Sequence, residues 1–128
     1  MERIGPSTRA NELSHRVIGA AIAVHRAMGP GFLESVYEQA LCLELHDRGI
    51  PFEQQALVTV SYKGRPVGQA RLVLVDKELI VELKATDALL PIHHSQVVSY
   101  LRATGLQLGL LINFNVLILK SGIKRIVA

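Results

Sequence analysis

From Asn11 to Met28 the apolar residues Leu13, Val17, Ala20, Ala21, Val24 and Met28 recur at steps of three and four, the spacing of one helix face. Gly29-Pro30-Gly31 ends that helix, through glycine's backbone freedom and proline's missing N–H. A second helical pattern carries Leu33, Tyr37, Ala40, Leu41 and Glu44 along one side and closes near Arg48-Gly49. Past Pro51 the pattern changes to strands. Phe52 to Tyr62 is one, Lys63-Gly64-Arg65-Pro66 reads as a hairpin turn, and Val67 to Val75 is the next. Asp76-Lys77-Glu78 forms another turn before a strand from Leu79 to Leu83. Pro91 suits the first turn of a third helix, which Gly105 stops after Thr104. Leu106 to Phe114 and Val116 to Leu119 then read as buried strands, followed by a short one near Ile123 to Val127. This order predicts an α+β or α/β fold in which helices flank one central mixed sheet. No repeat, low-complexity stretch or linker divides the chain, so one domain over residues 1–128 is expected.

Composition narrows the class. With 128 residues, 49% apolar and 20% charged, the chain has enough apolar surface to offset the entropy of ordering, which excludes intrinsic disorder. The longest apolar run, Val17 to Val24, is far shorter than the ~18–20 residues of a bilayer span. Charges interrupt the N-terminal residues, so no signal peptide and no membrane partner are expected. The single Cys42 allows no internal disulfide and fits a reducing cytoplasm. The net charge of +3 is unevenly placed: no acidic residue follows Asp87, whereas Arg102, Lys120, Lys124 and Arg125 do. Such a basic end attracts phosphates, although it also suits a solvated rim.

Three groups of residues carry possible chemistry. In Ile80-Val81-Glu82-Leu83-Lys84, strand alternation puts Glu82 and Lys84 on one face, a costly placement for two charges unless they are paired or used. Glu34 and Tyr37 lie three apart at the start of the second helix, where dipole electrostatics alone would favour Glu34. His93, Gln96 and Tyr100 form one polar stripe on the third helix, while His94 diverges, so no zinc site is expected. No phosphate-cradling glycine motif or nucleophile elbow is present.

Gly31-x-x-Glu34-x-x-Tyr37, Glu82-Leu83-Lys84, Gln96-x-x-x-Tyr100-Leu101 and Gly109-Leu110-Leu111-Ile112-Asn113-Phe114 occur in that order. With Val17 to Arg26 before them and Gly122 to Ile126 after, they resemble the small bacterial and archaeal GxxExxY proteins. That family is placed in the PD-(D/E)xK nuclease-like superfamily, and the resemblance spans nearly the whole chain. It implies a restriction-endonuclease-like core and metal-assisted phosphodiester hydrolysis of DNA with Mg²⁺ or Mn²⁺. Carried over, Glu82 is a metal ligand, Leu83 offers its carbonyl and Lys84 is the catalytic lysine. Glu34 completes the metal shell, Gln96 faces the site, and Tyr37 and Tyr100 support it.

One strand departs from the family pattern. Where the family reads Gly-Glu-Tyr-Arg-x-Asp, this chain reads Gly68-Gln69-Ala70-Arg71-Leu72-Val73. Alignment on Gly68 and Arg71 puts Val73 at the position of the ligand Asp; ungapped alignment on Glu82 puts Leu72 there. Asp76 lies three residues beyond Val73, about 10 Å along a strand. The resemblance therefore implies a nuclease-like protein whose metal site is impaired because the expected Asp is Val73. The alternative is a non-catalytic nucleic-acid- or protein-binding module on the same fold. A homo-oligomer, such as a homodimer joined through an edge strand at Leu108 to Ile112, is a third expectation.

Overall fold

The computed structural model describes residues 5–128. Helix α1 (Thr8–Met28) starts where Ser7 Oγ accepts the Ala10 N–H (3.0 Å) and buries Leu13, Val17, Ala20, Ala21 and Val24. Gly29, at φ +70°, ends it. Helix α2 (Glu34–Asp47) buries Tyr37, Leu41, Cys42 and Leu45. Strands β1 (Phe52–Tyr62), β2 (Arg65–Val75) and β3 (Leu79–Lys84) form an antiparallel meander. Helix α3 (Pro91–Thr104) then crosses over to β4 (Leu108–Asn113), which runs parallel to β3, and β5 (Ile123–Val127) returns antiparallel.

The sheet order is β1-β2-β3-β4-β5, and its two faces hold separate cores. Leu79, Val81, Leu83, Leu110 and Ile112 pack with α1 and α2; Ile80 and Leu111 pack with Val97 and Leu101 of α3. The expected mixed sheet flanked by helices is therefore present. Two expectations need correction. Val116 to Leu119 is not a strand: it is a bend running into a short 3₁₀ turn (Leu119–Gly122), with Leu117 and Ile118 88% and 72% exposed. Asn113 turns the chain there, because its side chain bonds the Thr86 N–H and C=O and the Asn115 N–H, which takes the following residues out of any ladder. Leu108 to Ile112 is likewise not an edge. β4 lies between β3 and β5 with both sides paired, so it offers no backbone groups to a second copy.

Candidate active site

The β2–β3 ladder stops at Val73↔Val81, whereas β1 and β2 stay paired out to Tyr62↔Arg65 and β3 stays paired with β4 to Lys84↔Asn113. The two strands thus part where Glu82 begins. The Lys84 carbonyl accepts the Phe114 N–H (2.9 Å) on the β4 side. By strand alternation the Leu83 carbonyl turns the other way, toward the gap that β2 has left.

Glu82 and Lys84 share the α3 face of β3 with Ile80, only 14% and 17% exposed, with Lys84 Nζ 3.8 Å from Glu82 Oε1. This is a loose ion pair. Burial pushes the Glu82 carboxyl up to about 7; Lys84 opposes that rise, and the charges of Glu34 and Glu38 add to it. Helix α2 therefore brings two carboxylates, at i and i+4, within electrostatic reach of Glu82. From the other side, the Tyr100 hydroxyl is pushed up by burial and then by Glu82, with the neighbouring Gln96 side chain pulling it down. Glu34, Lys84 and Tyr100 thus all interact electrostatically with Glu82 at one strand end, and Gln96 adjoins Tyr100.

Tyr37 is placed differently. It is fully buried, stacks on Phe114 at 4.7 Å, donates its hydroxyl to Gly29 O (2.5 Å) and accepts the Phe32 N–H (3.2 Å). It staples the loop that starts α2 and so supports the site at one remove. His93 of the polar stripe caps α3, its Nδ1 accepting the Leu90 N–H (3.0 Å).

Val73 does not face Glu82. Its pairing with Val81 puts both side chains in the core under α1 and α2, on the opposite face of the sheet. Leu72, 3% exposed beside Ile80 in the α3 core, occupies the β2 position that flanks Glu82. The register thus favours the ungapped alignment over the one through Gly68 and Arg71.

Sequence reasoning passed over Glu38. Its Oε2 accepts from both Gln54 Nε2 and Gln55 Nε2 (2.9 Å each), where a bulge in β1 holds Gln55 at φ +58°. Its i+4 spacing from Glu34 was the available signal. Among the described residues, no three His, Cys, Asp or Glu side chains gather closely enough to hold a metal by themselves.

A family model described as the PD-(D/E)XK nuclease superfamily matches residues 11–126. The chain belongs to the PD-(D/E)XK nuclease superfamily. No curated protein and no solved structure gives a match. A mixed sheet between helices, with Glu82-Leu83-Lys84 closing its third strand, is consistent with a PD-(D/E)XK core. Among the described residues no helix is long and apolar enough to cross a membrane.

Proposed function

We propose that the chain is a single-domain, cytoplasmic PD-(D/E)XK protein of the GxxExxY type. In this reading it binds DNA and hydrolyses its phosphodiester bonds slowly, because its metal site is one carboxylate short. The observation that carries this reading is the gap between β2 and β3: Glu82, Lys84 and the Leu83 carbonyl face it from β3, while Leu72 flanks it from β2. PD-(D/E)XK nucleases typically use divalent metals. The donors here are hard oxygens, and Mg²⁺ is commonly held by one or two carboxylates together with waters and substrate phosphates. Glu82 and the Leu83 carbonyl fit that pattern, with Glu34 of α2 completing the shell. A cation bound there would polarise the phosphate and acidify a water. Lys84, held next to Glu82, offsets the charge that develops on the phosphate oxygens. Gln96 and Tyr100 present donors from α3 that orient the strand to be cut.

The test is cleavage of labelled single-stranded, double-stranded and branched DNA with Mg²⁺ or Mn²⁺, alongside gel-shift binding. Slow cleavage that Lys84→Ala abolishes while binding persists is the expected result. Binding without any cleavage would instead support a module built on a retired site, which the apolar Leu72 favours. A companion prediction concerns the missing ligand. Leu72→Asp should tighten Mn²⁺ binding about tenfold or more in calorimetric titration, because ligand charge sets the affinity of hard-cation sites. Val73→Asp should give no gain, since its side chain enters the opposite core. A gain from Val73→Asp alone would refute the register argument.

A further inference from the structure

Beyond the end of the β2–β3 ladder, β2 residues Arg65–Leu72 pair only with β1. The two strands form an arm that continues for about 25 Å at strand rise. Its inner face packs on α3 through Ala56 and Val58. Further out, a groove of about 370 Å³ opens between arm and helix, lined by Thr59, Val60, Ser61, Ser99, Arg102 and Ala103. We propose that this groove seats the sugar–phosphate backbone of the nucleic acid. The proposal rests on the nuclease reading above and names the surface that holds its substrate.

Three observations support it. From α3 the groove offers the Ser99 hydroxyl and the Arg102 guanidinium, donors of the kind that most protein–nucleic acid contacts direct at phosphate oxygens. No acidic side chain occurs from Gln54 to Val75 or after Asp87, so neither wall carries a charge that repels phosphate. Exposed Arg102 has no ion-pair partner among the described residues, and the turn past Ser61 adds Lys63 and Arg65. At that turn Tyr62 is 65% exposed with Lys63 Nζ 5.4 Å from its ring centre, a platform on which an unpaired base can stack. The path is also continuous. Gln96, Ser99, Tyr100 and Ala103 share one face of α3, and the step from Gln96 to Arg102 is about 9 Å along the axis. Arg102 lies about 60° round the helix from Ser99, so a strand whose scissile phosphate lies at Lys84 would turn past Ser99 to reach it, with no acidic side chain on α3 in its way.

The experiment is fluorescence anisotropy of labelled single- and double-stranded DNA without divalent metal, between about 50 and 200 mM salt. Arg102→Gln should weaken binding several-fold for every sequence tested and flatten the log–log salt slope by about 1. Adding Lys63→Gln and Arg65→Gln should bring the loss to tenfold or more. Arg26→Gln, on α1 across the sheet, should bind like wild type. Groove variants with wild-type affinity and slope, in a wild type that does bind DNA, would overturn the groove and leave the nuclease reading standing. A wild type that binds no DNA overturns both. Arm variants that only shift the light-scattering mass from dimer to monomer would reassign the arm to self-association and overturn the proposal.

Discussion

Above pH 7 a Glu82→Gln variant is expected to be more stable than the wild type, by up to about 3 kcal/mol. Burial raises the Glu82 carboxyl from an ordinary 4.5 to about 7, against the pull of Lys84 and with help from Glu34 and Glu38. The folded chain therefore holds this proton more tightly than the unfolded chain does. Below about pH 4.5 the carboxyl is protonated in both states, and the wild type has its full share of stability from this site. As pH rises from 4.5 through 7 the unfolded chain releases the proton first, and that share is lost. Glutamine fills the same space without the charge, so its curve stays flat at this site. For a domain of this size the gap at pH 8 corresponds to a melting-temperature difference on the order of 10 °C. If Glu82 ligates a metal as proposed above, millimolar Mn²⁺ should narrow the gap, because a cation would stabilise the wild-type carboxylate far more than the amide. Thermal melts from pH 4 to 9 check this. Parallel curves for the two proteins would mean that Glu82 is not held in the low-dielectric setting described.

The second large effect is at Tyr37. Tyr37→Ala should cost about 4 kcal/mol, by removing a fully buried ring from its stack on Phe114 and leaving a cavity between α2 and the sheet. Tyr37→Phe keeps the ring and should cost only about 1–2 kcal/mol, from leaving the Gly29 carbonyl and the Phe32 amide without their partner. Urea melts of both variants separate the two contributions. A Phe variant as stable as wild type would show that water replaces the hydroxyl in the loop. Since that loop sets where α2 begins, the Ala variant should also displace Glu34 and lose metal affinity along with stability.

Local patterns were legible wherever neighbouring residues decide the outcome. Apolar spacing placed α1 and α2, Pro91 and Gly105 bounded α3, and the turn residues at 63–66 and 76–78 separated the three meandering strands. The apolar run Val116 to Leu119 misled because its composition suits a strand, while its conformation depends on what Asn113 bonds and on His25 Nε2 donating to the Val116 carbonyl (2.7 Å). Glu38 was missed for a similar reason. Its partners Gln54 and Gln55 sit on a different element, and the bulge that aims them leaves no mark on residue order.

By itself the sequence determined the order of elements up to β4, the helix-flanked mixed sheet and the placing of Glu82 and Lys84 on one face of a strand. Those follow from side-chain periodicity and from turn chemistry within a few residues. The tertiary structure decided that β2 and β3 part at Glu82, that Leu72 and not Val73 flanks it, and that α2 and α3 close on it from two sides. Strand register joins residues that are distant along the chain, and a shift of one position exchanges every side chain between the two faces of the sheet.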